Sequence, residues 1–182
     1  MGNYGDFMIL GLDISTTITG YCLINSDGNI YDIGDINFKK YGKDIFKKLD
    51  YISEWIDNYI HIDKIKVVIV ESPLRRFKAG QSSAQTLFNL YSFNIGIQYM
   101  FYKKFGKPPL SINATTARKR LGIVTPKGLS YKDRKQFIFE HVRKLVPDIK
   151  WEYTRFGNPK DGSYDRADAY CIAYSEWLNR KK

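Results

Sequence analysis

Blocks of apolar residues predict strands at the start of the chain. Phe7 to Ile14 and Gly20 to Ile24 are near-continuous apolar runs, and Ile30 to Phe38 alternates apolar and polar positions. The turn sequence NSDGN separates the second run from the third. The three runs together predict a three-stranded antiparallel meander.

Apolar residues then recur at spacings of three and four from Ile45 to Ile60, which predicts an amphipathic helix with Lys47 and Lys48 among its polar positions. The run Lys66 to Glu71 is apolar on both faces, as in a central strand covered on both sides. Further predicted elements are a helix over Ser82–Phe105 with Leu87, Leu90, Phe93, Ile97 and Phe101 inside, a strand in Pro109–Ala114, helices over Thr115–Leu121 and Tyr131–Val146, an irregular connector over Pro147–Ser163, and a helix from about Tyr164 to Leu178. This order predicts one mixed α/β sheet with helices on both faces, in a single domain over residues 1–182.

The charge balance narrows the class of partner. The chain has 29 Lys and Arg against 19 Asp and Glu, a net charge of +10. This balance favours a polyanion, most often nucleic acid or anionic lipid, with solubility alone as the other explanation. No apolar stretch approaches the roughly 18 residues of a membrane span, and no leader pattern opens the sequence. Cys22 and Cys171 lie in apolar runs, which indicates reduced core thiols. We therefore expect a soluble cytoplasmic protein.

Four carboxylates border apolar elements: Asp13, Glu71, Asp165 and Asp168. Asp13 and Glu71 end predicted strands, and ligands of such sheets lie at the carboxyl ends of parallel strands. Asp165 and Asp168 are spaced i, i+3, so they share one face of the last helix, in its predicted first turn. Convergence of these four groups without His or Cys would suit Mg²⁺ or Mn²⁺.

Each carboxylate also has a structural interpretation. Acids in the first turn of a helix are favoured by the helix dipole, Glu71 before Ser-Pro fits a turn, and Asp13 fits a turn cap. Taken together in a basic chain, the four favour a metal site for phosphodiester cleavage.

Five segments in order resemble the RuvC-like Holliday junction resolvases of the RNase H-like superfamily: LGLDISTTITGYCLI, VIVESP, GQSSAQTLFNLYSFNIGIQ, INATTARKRLGI and DRADAYCIAYSEWL. The resemblance covers nearly the whole chain, and the short length resembles the phage or viral members. It implies an RNase H-like fold with a five-stranded mixed sheet, a three-stranded meander plus parallel strands. It also implies a Mg²⁺-dependent endonuclease, with Mn²⁺ as a substitute, in which Asp13, Glu71, Asp165 and Asp168 hold two ions. The expected substrate is a four-way DNA junction, bound by a homodimer in the host cytoplasm if the protein is phage-encoded.

Basic residues cluster near these carboxylates along the chain and are the predicted DNA contacts. They are Arg75, Arg76 and Lys78, with Phe77 among them as a stacking residue; Arg118, Lys119 and Arg120; and Lys127, Lys132, Arg134 and Lys135. Cations can bind phosphates, and an exposed aromatic ring can stack on an unpaired base. A solvated charged face is the structural alternative for each cluster.

Three other functions compete with the resolvase. The LDISTT opening also resembles the first phosphate motif of actin-like and sugar-kinase ATPases, but those enzymes need two such domains and a second phosphate loop. A ribonuclease H acting on RNA:DNA hybrids has the same carboxylates. A non-catalytic DNA-binding protein is the third alternative, although binding a polyanion gains nothing from four carboxylates.

Overall fold

A computed structural model describes residues 7–59, 62–72 and 83–181 of the chain. Its strands are β1 (Met8–Asp13), β2 (Ile18–Ile24), β3 (Ile30–Asn37), β4 (Ile65–Glu71) and β5 (Leu110–Ile112). They form one sheet in the order β3-β2-β1-β4-β5, with β2 antiparallel to both neighbours and β1, β4 and β5 parallel. The predicted meander and the five-stranded mixed sheet are therefore confirmed.

Helices cover both faces of this sheet, as the sequence predicted. They are α1 (Ile45–Asn58), α2 (Ala84–Phe105), α3 (Ala114–Arg120), α4 (Tyr131–Leu145) and α5 (Asp161–Arg180). The side chains of α1 and α2 pack on one face, around Phe38, Phe93 and Ile97. The helices α3, α4 and α5 pack on the other face, around Phe139 and Ile172. Within the described residues, no helix is long and apolar enough to cross a membrane.

Two predicted features of α1 and α2 need correction. Lys48, a predicted polar position of α1, is buried at 4% exposure and donates through Nζ to the carbonyl of Thr16 at 2.7 Å. It thereby closes the turn between β1 and β2. On α2, Phe93, Ile97 and Phe101 are buried, whereas Leu87 and Leu90 are only partly covered.

The connector before the last helix differs most from its prediction. The helix α5 begins at Asp161, three residues before the predicted Tyr164. Before it, the chain turns back on itself, with a bridge that pairs Tyr153 with Pro159. This segment is therefore a small hairpin rather than an irregular loop.

Candidate active site

Strand register brings the first two carboxylates together. The parallel pair β1 and β4 aligns Leu12 with Val70, so Asp13 and Glu71 follow side by side at the carboxyl edge of the sheet. Because side chains alternate along a strand, both point to the opposite face from Leu12 and Val70. That face is covered by α5.

Two glycines let α5 approach that face closely. A Cβ at Gly11 would lie 2.6 Å from the backbone nitrogen of Ala173, and a Cβ at Gly20 would collide with the backbone of Asp165. Any larger residue at Gly20 would push the helix away from β2. The sequence analysis missed this role, and the only available signal was an isolated glycine inside a strand pattern, which often marks close backbone approach.

The contact with Gly20 places Asp165 and Asp168 beside the strand-end acids. Because α5 begins at Asp161, both aspartates lie in its second turn rather than in the predicted first turn. The dipole of a helix acts mainly within its first turn. The structural interpretation of this pair therefore loses its main support.

Electrostatics show that the four carboxyl groups are crowded. Burial raises the pKa of Asp13 well above its usual value, and repulsion from Asp168 and Glu71 raises it further. Burial also raises the pKa of Glu71, although a hydrogen bond with Asp13 lowers it. For Asp165, burial raises the pKa to about 7 against the opposing charge of Lys135. The cluster holds more negative charge than its surroundings stabilise.

Two basic side chains lie within the cluster. The guanidinium of Arg118, on α3, donates to Oδ1 of Asp168 from both Nε (3.2 Å) and Nη2 (2.8 Å). The Nζ atom of Lys135, on α4, lies 3.8 Å from Oδ1 of Asp165. Burial disfavours the charged form of Lys135, but Asp165, Tyr131 and Asp168 together offset this and raise the pKa of the ammonium. Both residues were predicted as DNA contacts, and the structure places them among the acids.

The donor set of this site consists of the carboxyl groups of Asp13, Glu71, Asp165 and Asp168. Among the described residues, no three or more His, Cys, Asp or Glu side chains are arranged to hold a metal ion, and Asp165 and Asp168 face basic partners. The chemistry of the donors nevertheless fits a hard divalent cation, since all four groups are carboxyls and their repulsion calls for positive charge.

A buried amide also supports the end of β4. Asn94, on α2, is 3% exposed and directs Nδ2 at the carbonyl oxygen of Glu71, 3.5 Å away. Gln98 donates to Oδ1 of Asn94 at 2.5 Å, which orients the amide. The sequence analysis missed Asn94, although an amide beside the buried positions of α2 is a signal of such a role.

The other predicted DNA contacts divide into two groups. On α3, the following loop and α4, five of them are exposed: Lys119, Arg120, Lys127, Lys132 and Arg134. Arg120 also donates to the carbonyl of Ser175 at 3.3 Å. The predicted contacts Arg75, Arg76, Phe77 and Lys78 lie outside the described residues.

Comparison with known proteins identifies the fold. The sequence matches no protein-family model and no curated protein. The structure is similar to Thermus thermophilus RuvC in complex with a Holliday junction substrate, with a TM-score of 0.66 at 11% identity over 96% of this chain and 95% of that one. It is also similar to Ydc2, the yeast mitochondrial Holliday junction resolvase, with a TM-score of 0.58 at 16% identity over 94% of this chain and 80% of that one. The chain therefore has the RuvC-like, RNase H-like fold.

Proposed function

We propose that this protein is a metal-dependent, structure-selective endodeoxyribonuclease that resolves Holliday junctions, of the phage or viral type. The observation that carries the proposal is the crowding of Asp13, Glu71, Asp165 and Asp168 at the carboxyl edge of a RuvC-like sheet. Of two proteins with a similar fold, one is a Holliday junction resolvase by name and the other is seen in complex with a Holliday junction substrate. The cytoplasm of the host cell is the expected location.

The four carboxylates would hold Mg²⁺ or Mn²⁺, two ions in each site. When bound, the ions supply Lewis acidity and a water of lowered pKa for hydrolysis of a phosphodiester. The carboxylates themselves fix the reacting groups at the sheet edge. Their rigidity comes from the strand register on one side and from the contact of α5 with Gly20 on the other.

Arg118 and Lys135 would guide the phosphate. Both are partly covered, with 18% and 33% of their side chains exposed, and both reach the carboxylates from α3 and α4. Cations at this point partly neutralise the cluster, so a DNA strand is not repelled from it. Guanidinium and ammonium groups are the usual protein partners of phosphate oxygens.

The exposed cations of α3, the following loop and α4 would extend this contact along the DNA. Lys119 and Lys132 are exposed on the helices that carry Arg118 and Lys135, and Lys127 is exposed in the loop between these helices. The net charge of +10 supplies the sequence-independent attraction that such binding requires. Arg75, Arg76, Phe77 and Lys78 remain predicted contacts.

A homodimer would present two such sites to the two opposed strands of a junction. The exposed face of α2 suits a second copy of the chain, because no residue from Ala84 to Tyr102 is charged although the chain carries +10. Its exposed residues are Phe88, Tyr91, Ile95, Tyr99 and Tyr102. Their spacings, three, four, four and three, are symmetric about Ile95, so an antiparallel pair of helices would match each residue with an equivalent position.

Ile95→Arg tests this interface, because it places two like charges at the two-fold axis. We expect the wild-type protein to be a dimer by light scattering and Ile95→Arg to be a folded monomer. Phe46→Arg, at an exposed position of α1, is the matched control and should remain dimeric. A monomeric wild type, or a dimeric Ile95→Arg protein, would contradict the interface.

A substrate panel tests the activity. The protein is incubated with Mg²⁺ or Mn²⁺ and a synthetic four-way junction, a fork, a linear duplex or an RNA:DNA hybrid, with Asp168→Asn as control. We expect paired symmetric nicks in the junction that the variant does not make. Cutting of the hybrid alone would indicate a ribonuclease H. Binding without cutting would indicate a non-catalytic DNA-binding protein.

A further inference from the structure

The hairpin before α5 carries an exposed aromatic ring and a cation at its tip. Its backbone is closed by Thr154 N–H donating to the carbonyl of Asn158 at 2.7 Å and by Lys160 N–H donating to that of Glu152 at 3.0 Å. At the tip, Phe156 is 75% exposed, and the guanidinium carbon of Arg155 lies 4.6 Å from its ring centroid. This ring lies outside the apolar core, and its exposure requires another explanation.

The base of the hairpin is fixed to α5. The hydroxyl of Ser163 accepts from the backbone N–H of Glu152 at 3.2 Å and donates to its carbonyl at 2.9 Å. The carboxylate of Glu152 accepts from Arg166 at 2.7 Å and from Lys160 at 3.0 Å. A ring held on such a support is ordered before it meets a ligand, so little entropy is lost on binding.

Sheet register places the hairpin beside the carboxylates. Arg166 also donates to Asp35 at 2.6 Å, and Asp35 is aligned with Gly20, which is aligned with Asp13. Two strand spacings separate Asp35 from Asp13, about 10 Å. That length is about three base steps of a nucleic acid strand, at about 3.4 Å each. The base of the hairpin, at Glu152, is therefore linked through Arg166 to a point of the sheet about 10 Å from Asp13.

An open cavity of about 400 Å³ lies between the hairpin and the end of β3. Lys39, Asn37, Thr154 and Lys160 are among its lining residues, so it offers cations and hydrogen-bond groups to a backbone. Three acids also line it, and each has a cation: ion pairs link Asp161 to Lys39, Glu152 to Lys160 and Asp35 to Arg166. A strand that runs from the carboxylates toward the hairpin would cross this cavity.

We propose that Phe156 and Arg155 form a second nucleic-acid contact, in which the ring stacks on an unpaired base near the branch point and the guanidinium binds an adjacent phosphate. The proposal rests on the proposed function, because it takes branched DNA as the ligand. Aromatic rings bind unpaired bases without regard to sequence, and intact duplex offers no such base. The hairpin would therefore contribute to selection of branched DNA over duplex.

Binding measured in EDTA tests the hairpin without relying on cleavage. Affinities for a four-way junction and for a linear duplex are measured by fluorescence anisotropy for the wild type, Phe156→Ala, Phe156→Trp and Tyr31→Ala. Tyr31 is the matched control, because it is also an exposed ring with a cation beside it: Nζ of Lys64 lies 5.5 Å from its centroid. Tyr31 lies near the start of β3, at the end of the sheet opposite to the carboxylates.

We expect Phe156→Ala to weaken junction binding about tenfold, the size of one base stack. Its duplex affinity and melting temperature should stay at wild-type values. Phe156→Trp should keep the junction affinity, and Tyr31→Ala should bind both DNAs like the wild type. Arg155→Gln should reduce the salt dependence of junction binding by about 0.7 of a logarithmic slope unit.

Wild-type junction affinity in Phe156→Ala, or an equal loss on junction and duplex, would overturn the hairpin contact. A wild-type protein that binds the junction no more tightly than the duplex would also overturn the hairpin contact. A wild type that shows the expected binding differences but cuts none of the substrates in Mg²⁺ would overturn the proposed nuclease and leave the hairpin contact supported.

Discussion

Two ionic clusters lie next to each other on α5 and differ in how their charges are balanced. Arg166 binds Asp35 and Glu152, and the hydrogen bonds from Arg166 and Lys160 lower the pKa of Glu152. The preceding residue, Asp165, belongs to the carboxylate cluster, where burial raises the pKa to about 7. Removing one partner of a buried ion pair destabilises a fold, whereas crowded acids are typical of sites that hold a cation or carry out a reaction.

A residue without charge should also have a large effect on cleavage by the carboxylate cluster. In Gly20→Ala the new Cβ collides with the backbone of Asp165 and displaces α5, while all four carboxylates remain. Because a shift of about 1 Å in a reacting group can reduce the rate about 100-fold, we expect a loss of that size in junction cleavage.

Gly96→Ala is the matched control for Gly20→Ala. The atoms nearest to a Cβ at Gly96 belong to the side chain of Leu49, on the other face of the sheet, which can rotate away. Steady-state cleavage rates of both variants provide the check. Equal loss in the two variants, or wild-type cleavage by Gly20→Ala, would show that the approach of α5 does not control the site.

Breaking the ion pairs of Arg166 should reduce the stability of the fold rather than the rate of cleavage. Arg166→Met leaves the carboxylate of Asp35, at 16% exposure, without its cation. We expect a loss of about 2 kcal/mol in the free energy of unfolding. For a chain of this size this corresponds to a fall of about 4 to 8 °C in melting temperature. Urea unfolding measures this loss of stability. An unchanged unfolding midpoint in Arg166→Met would mean that these ion pairs do not stabilise the fold.

Removing the carboxylate of Asp13 should change the stability of the fold less than Arg166→Met does, and in the opposite direction. The folded-state pKa of Asp13 is raised above its unfolded value, so ionisation at neutral pH costs the folded state free energy. We expect Asp13→Asn to stabilise the metal-free protein at pH 7, seen as a higher melting temperature than that of the wild type. The gain should vanish as the pH falls below the unfolded pKa, where the carboxyl is protonated in both states.

Added Mn²⁺ shows whether Asp13→Asn stabilises the protein by removing a repelled charge or by changing side-chain packing. The ion should raise the melting temperature of the wild type and leave that of Asp13→Asn almost unchanged, because a ligand stabilises only a state that binds it. Differential scanning fluorimetry in EDTA and in Mn²⁺ measures both shifts. A destabilised Asp13→Asn protein would show that the carboxylate is a structural partner.

The sequence predicted the positions of the strand-end acids because apolar runs end at Asp13 and Glu71, and strand register follows from those runs. It did not predict the contact of Gly20 with α5, which depends on how closely two distant elements pack. In the sequence, Arg118 is one member of a basic run. Its pairing with Asp168 was not predicted, because it joins residues 50 positions apart. The hairpin was missed because a single bridge leaves no period-two pattern.

Junction cleavage by Asp13→Asn, measured beside its junction binding, tests the central claim most directly. The exchange keeps the size of the side chain and removes the charge that the proposed ions require, and metal-ion catalysis is worth several kcal/mol, about 1000-fold in rate. We predict that cleavage in Mg²⁺ falls by at least that factor while affinity for the four-way junction stays within about twofold of wild type. Cleavage at the wild-type rate, or loss of junction binding by the folded variant, would contradict the assignment of these carboxylates to catalysis.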